Sequence, residues 1–284
     1  MTQADLVYLM KCSSLEAVRI MEMARTCKKP TWYDLDDDLF NITLENDAFA
    51  YYSGTAPGFQ DIPQNISILL ANCDIVTVST QVLLAIVKKF RPNKPTVVIP
   101  NALDDYMLKR FDEKPAPRQK LITWRGGSTH QRDLDEFEPQ LMELMKELKD
   151  WKWLFMGHAP YRLIEAFPEN VYTTKQIPYF DWMEEFWHMG SAIHIVPLAD
   201  TAFNRSKSNL AALEAIYAGA TPICPKEWLE VPAPLYVDDF LGCVKSSTTQ
   251  ETIFGNIKRM EWLKRNKILS VVNPERLKII ESLV

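Results

Sequence analysis

The 284-residue chain predicts an α/β protein built as two Rossmann-like, doubly wound lobes, and three observations carry that prediction. Short β-rich runs alternate with helical segments, a rhythm that produces parallel sheets covered by helices. The rhythm lapses once, over 101–119, where polar residues mix with Pro115 and Pro117 and no apolar period survives. At 47% hydrophobic and 24% charged residues, the composition is that of a globular chain, and the length is enough for two modest cores.

Taken in order, residues 5–10 read as a strand, and Ser13 or Ser14 then caps a helix that runs to about Cys27. Residues 30–35 form a second strand. Gly54, Pro57 and Gly58 break the stretch 36–61 into a long loop with a short helix. Residues 74–79 are a third strand, 80–90 a helix and 96–100 a fourth strand. Beyond the break, residues 120–124 make a strand ending in Gly126–Gly127, followed by an amphipathic helix over 133–148 and a strand over 151–157. Strands at 171–177 and 192–198 flank an aromatic helix at 180–189. A helix over 206–219 stops at Gly219, and 221–225 is the next strand. The expected organisation is a first lobe over 1–104, a linker over 105–119, a second lobe over 120–265 and a helical tail over 266–284.

Net charge is −5 and the pI is near 5.5, so no global basic field favours tight non-specific nucleic-acid binding, although a local basic groove stays compatible with it. The five cysteines are odd in number and lack CxxC spacing, which suits free thiols in a reducing compartment. No apolar run approaches the ~18 residues of a membrane span. A cytoplasmic location is expected, the host cytoplasm if the chain is phage-encoded.

Strand ends of the second half gather the chemistry, since ligands of doubly wound sheets lie beyond the carboxyl ends of the strands. Gly126 and Gly127 follow a strand directly and let backbone amides approach an anion, with Arg125, His130 and Arg132 adding positive charge. Further on, Ser206 falls at an expected N-cap, with Lys207, Ser208 and Asn209 in the first helical turn and Arg205 just before it. Cation, hydroxyl and free amide groups so clustered suit a diphosphate. Lys207 and Glu214, seven residues apart, are expected on one helix face about 10.5 Å apart along the axis, phosphates at one end and ribose hydroxyls at the other. The bland alternative is a solvated Lys and Glu, but Leu210, Ala211, Ala212, Leu213, Ala215 and Ile216 make this helix too apolar to face water.

The stretch from Phe203 to Ile223 resembles the signature helix of GT-B glycosyltransferases similar to glycosyltransferase family 4, including a branch common among bacterial and phage proteins. Residues 33–40, 73–80 and 98–104 look like that branch's first-lobe landmarks, so the resemblance touches about residues 5–225. It implies a nucleotide diphosphate on the second lobe, phosphate held by Lys207, ribose held by Glu214, and a glycine turn at Gly126–Gly127. Two positions depart from the family pattern. Ser206 stands where many relatives have the first of two glutamates, and Ala211 where many have a lysine. Donor phosphate charge then rests on Lys207, Arg205 or the Arg125–Arg132 loop. The activity implied is transfer of a sugar from a nucleotide-sugar, a UDP-sugar as co-substrate, to an acceptor hydroxyl, with no other cofactor and no resident metal.

Asp34, Asp36, Asp37 and Asp38 crowd the end of the second strand, where mutual repulsion should raise some of their pKa values unless a cation or N–H groups intervene. Asp36 or Asp37 is the candidate base that takes the acceptor's proton, with loop capping as the structural alternative. Asp-x-Asp is also the metal motif of the other glycosyltransferase fold, GT-A, which makes a metal-dependent transferase one alternative. A non-catalytic nucleotide-sugar-binding protein and a nucleotide-sugar epimerase are two more. Tyr51, Tyr52, Phe59, Tyr179, Trp182 and Trp187 are candidate platforms for sugar or base, and His158 and His194 read as core or loop residues. Relatives usually carry more strand–helix units in the first lobe. The shortening suggests a bulky acceptor: a polysaccharide, a protein, or DNA carrying 5-hydroxymethylated pyrimidines. For DNA, Lys88, Lys89, Arg91, Lys94, Lys109 and Arg110 form the best basic patch.

Overall fold

A computed structural model describes residues 3–108, 117–158, 160–236, 238–250 and 253–284. The first elements are β1 (Val7–Met10), α1 (Leu15–Thr26), β2 (Thr31–Leu35), α2 (Phe49–Tyr52), α3 (Ile62–Asn72), β3 (Ile75–Val78), α4 (Gln81–Val87) and β4 (Thr96–Val98). Then come α5 (Asp105–Leu108), β5 (Gln119–Gly126), α6 (Gln131–Glu147), β6 (Lys152–Gly157), α7 (Tyr161–Ala166), β7 (Val171–Thr174), α8 (Tyr179–Met189) and β8 (Ser191–Ile195). The chain ends with α9 (Ala202–Ser206), α10 (Leu210–Tyr217), β9 (Thr221–Pro225), β10 (Leu235–Tyr236), α11 (Phe240–Gln250), α12 (Ile253–Asn266) and α13 (Leu269–Leu283).

These elements fall into two compact units. The first comprises Met1–Asn101, Asp200–Ser208 and Ser270–Val284, and the second Ala102–Ala199 and Asn209–Leu269. Sequence rhythm suggests one crossing near 105–119; the contacts show the chain returning to the first unit twice more.

In the first unit β1, β2, β3 and β4 pair in chain order, all parallel. The Ser14 hydroxyl caps α1 by accepting the Ala17 amide, and Ala17, Val18, Met21 and Ala24 turn its apolar face inward. Helix α3 is absent from the sequence reading. Its Pro63 sits in the first turn, and Ile62, Ile66, Leu69 and Leu70 recur at helical spacing into the core around Tyr33, Leu35, Val76 and Val78.

Of the predicted basic patch, Lys89 and Lys94 are exposed, but Arg91 has a structural place. Arg91 is buried, and its guanidinium donates to the carbonyls of Leu70, Cys73, Asp74 and Pro95 at 2.7–3.2 Å. Arginine satisfies this ring of acceptors because its planar fork carries five donors. Lys94 Nζ donates to the Ala71 carbonyl and Lys88 Nζ to that of Lys94. Lys109 and Arg110 lie outside the described residues.

The second unit carries a six-stranded sheet, ordered β10-β9-β8-β5-β6-β7, all parallel. Its order runs one way from β5 to β7 and the other way from β8 to β10, so the reversal lies between β5 and β8. Two apolar clusters cover the sheet. One gathers Trp182, Phe186, Trp187, Leu213 and Ile216, and the other Leu141, Leu144, Trp153, Phe155 and Ile193.

Candidate functional site

The reversal between β5 and β8 marks where a parallel α/β sheet opens a crevice beyond its strand ends. Strand β5 ends on Gly126, in register with Gly157 at the end of β6. Gly157 has φ +93°, and a Cβ there would lie 2.4 Å from the Gly126 carbonyl oxygen. A Cβ on Gly126 would meet the Trp124 ring at 2.6 Å and His130 Cδ2 at 3.0 Å. Only glycine permits this close approach. Gly127 continues in extended conformation into a 3₁₀ turn, Ser128–His130, that leads into α6.

Asp133, buried in the first turn of α6, stitches this loop to the segment after β8. Its Oδ2 lies 2.7 Å from His130 Nδ1, and its Oδ1 accepts the Ala199 amide at 2.9 Å. Arg132 shares that first turn. Sequence reasoning named His130 and Arg132 but missed Asp133, whose only signal is an acid at the start of an amphipathic helix.

On the opposite side of the reversal, Glu214 is buried on α10. Its Oε2 accepts Arg125 Nη1 at 3.1 Å and Trp182 Nε1 at 3.4 Å, and the Tyr179 hydroxyl faces the same carboxylate. The Arg125 guanidinium lies 5.4 Å from the Trp182 ring centroid and 5.7 Å from that of Tyr179. Burial pushes the Glu214 pKa up, while Arg125 and the hydrogen bonds pull it down less strongly. Trp182 and Trp187 are core residues; of the three aromatics predicted on this helix only Tyr179 is partly exposed. His194 is buried, as expected of a core histidine, with Nδ1 3.0 Å from the Thr123 hydroxyl. Burial pushes its pKa down to about 3.

A single helix from Ser206 to Gly219 does not form. Helix α9 ends at Ser206, Lys207 is extended at φ −61°, ψ 146°, and α10 begins only at Leu210 with Asn209 as N-cap. Polar side chains with competing partners interrupt it. The Ser206 hydroxyl donates to the Phe203 carbonyl, Ser208 Oγ accepts Asn101 Nδ2, and Asn209 Nδ2 donates to Glu230 Oε1. Ser206 is thus no N-cap, and Lys207 and Glu214 share no helix face. Arg205 holds Asp200 with two bonds of 2.6 and 2.7 Å, and Lys207 Nζ lies 5.0 Å from the Phe203 ring centroid. Arg205, Lys207 and Ser208 belong to the first unit, whereas Gly126, Gly127, His130, Arg132, Asn209 and Glu214 belong to the second.

At the end of β2 the four aspartates are partitioned rather than pooled. Asp34 accepts the Thr77 and Tyr8 hydroxyls. Asp38 is fully buried and accepts the Phe40 and Asn41 amides and Asn41 Nδ2, the loop-capping role. Asp37 hydrogen-bonds Lys11 Nζ, which also lies 3.4 Å from Asp36 Oδ1 without hydrogen-bond geometry. Lys11 reaches both from a left-handed backbone at φ 50° directly after β1. Burial and then the Asp37 charge push the Asp36 pKa up against the pull of Lys11. Among the described residues no group of three or more His, Cys, Asp or Glu is arranged to hold a metal ion. Nor is any of their helices long and apolar enough to cross a membrane.

Neither a family model nor a curated protein matches this sequence. Solved structures do match the fold. The sucrose-phosphate synthase of Thermosynechococcus elongatus superposes with a TM-score of 0.65 at 12% identity, over 98% of this chain and 73% of that one. The pneumococcal O-GlcNAc transferase GtfA, solved with UDP and GlcNAc, gives 0.62 at 12% identity, over 98% and 56%. TarM gives 0.60 at 11% identity, over 89% and 50%. The chain thus spans about half the length of two of these three proteins. Its fold is α/β with Rossmann-like lobes, similar to that of GT-B enzymes.

Proposed function

We propose that this protein is a glycosyltransferase that moves a sugar from a nucleotide-sugar, a UDP-sugar first among them, to an acceptor hydroxyl. The observation that carries the reading is the strand-order reversal, where a glycine-lined loop and the Arg125–Glu214 pair sit at the carboxyl end of β5. A fold shared with glycosyltransferases, one of them solved with UDP, supports the same reading. In this scheme Gly126, Gly127 and the start of α6 offer amides to the diphosphate, with His130 and Arg132 nearby. Asp36 is the better candidate for the base, because Asp37 is committed to Lys11 and a raised pKa makes Asp36 the stronger base.

The acceptor is proposed to be bulky, a polysaccharide or a protein. A thermal-shift panel of UDP-, GDP-, ADP-, CMP- and TDP-sugars tests the donor. A bound nucleotide-sugar at 100 times its Kd stabilises the fold by about 2.7 kcal/mol. Slow hydrolysis of that donor without acceptor is expected; a protein that shifts with no sugar-nucleotide and hydrolyses none is not a glycosyltransferase.

A further inference from the structure

Glu214 is the residue whose surroundings fit its expected role least well. A carboxylate that receives ribose hydroxyls should present free lone pairs to the ligand. This one is buried, and its Oε2 already accepts the Arg125 guanidinium at 3.1 Å and the Trp182 indole at 3.4 Å. The Tyr179 hydroxyl faces the same carboxylate. Arg125 is different: its side chain keeps 26% of its surface exposed, while that of Glu214 keeps 6%. It also stands on the penultimate residue of β5, next to the glycine turn, with aromatic rings at 5.4 and 5.7 Å.

We infer that Glu214 is a positioning residue that acts through Arg125. It fixes the guanidinium between Tyr179 and Trp182 so that the remaining N–H donors meet the phosphates of the nucleotide, and it does not itself hold the ribose. The physical logic is that of a supported cation. Arginine has five donors in a rigid fork, so a carboxylate behind it consumes one and leaves others for an anion in front. Two rings beside the guanidinium, and a carboxylate partner itself held by the Trp182 indole N–H, fix the rotamer that a free arginine would have to order on binding. Burial of the anchor keeps water from competing for the pair.

The inference rests on the nucleotide-sugar reading. The test starts from the nucleoside diphosphate that gives the largest thermal shift, together with its 2′-deoxy form and the bare nucleoside. Glu214→Gln and Arg125→Met should each weaken diphosphate binding by about tenfold or more, measured by calorimetry. Nucleoside binding, followed by ligand-observed NMR, should stay within about twofold of the wild type. The preference for the ribo over the 2′-deoxy diphosphate should be unchanged in both. Because breaking one half of a buried ion pair can unfold a protein, the double variant Arg125→Met/Glu214→Gln provides the control. It should fold, bind no more weakly than Arg125→Met alone and keep the wild-type ribose preference. Loss of that preference in Glu214→Gln or in the double variant, or wild-type diphosphate affinity in Arg125→Met, would overturn the inference while leaving the transferase reading intact. A wild-type protein that binds none of the diphosphates overturns both.

Discussion

Asp133 holds His130 Nδ1 at 2.7 Å with one carboxylate oxygen and the Ala199 amide at 2.9 Å with the other. One buried side chain therefore spans the strand-order reversal, tying the loop after β5 to the segment after β8. Replacing it with alanine leaves the Ala199 amide without that acceptor. Asp133→Ala is expected to lose about 2 kcal/mol in urea unfolding, whereas Asp133→Asn, which keeps an acceptor, should lose less. Equal losses would mean that the amide bond carries little of the stability.

Gly157 offers a sharper steric test. At φ +93°, and with the Gly126 carbonyl oxygen 2.4 Å from an added Cβ, alanine must displace the end of β5. Gly157→Ala should cost about 2–3 kcal/mol and weaken nucleotide binding more than a neutral substitution of similar stability cost. The paired readout is the urea midpoint against the thermal shift with nucleotide.

His194 makes acid sensitivity predictable in sign. Its folded pKa is pushed from 6.5 down to about 3, so the unfolded chain takes up the proton first as pH falls. The stability it contributes is fully present above pH 6.5 and is lost as pH drops toward about 3. Once pH is well below 6.5 the loss approaches about 1.4 kcal/mol per pH unit. His194→Gln should lack this component, so the difference between the two proteins should shrink as pH falls in urea unfolding series.

Arg91 should prove structural. Its guanidinium serves four carbonyls at 2.7–3.2 Å, which a lysine ammonium cannot reach together. Arg91→Lys is expected to cost about 3 kcal/mol in urea unfolding, with no change in the salt dependence of binding to any polyanion. A variant as stable as the wild type would refute the assignment.

The parallel α/β character, the strands around Tyr33, Val76 and Phe155 and the glycine turn at Gly126 were legible because apolar runs and turn residues alternate clearly along the chain. Helix α3 was not, because Ile-Ser-Ile-Leu-Leu-Ala sits in a run whose apolar density hides its period. The break at Lys207 was equally hidden. A serine before it and a serine and asparagine after it are compatible with a helix start, and only their partners Phe203, Asn101 and Glu230 decide otherwise. Lys11 and Asp133 were missed for a related reason. A single charge beside a strand or helix gains meaning only from residues such as Asp37 and Ala199, which the chain supplies much later. The pairing of Glu214 with Arg125 joins positions 89 residues apart, beyond the reach of any local pattern.

The return of Asp200–Ser208 and Ser270–Val284 to the first unit sets an order of events during synthesis. The strands β1–β4 are made before the second unit, yet the helix α13 that completes their unit is made after it. The second unit, complete at Leu269, has all its residues in hand sooner. Removing Ser270–Val284 should therefore injure the unit that holds β1–β4, exposing those strands to proteases and chaperones while the second unit stays intact.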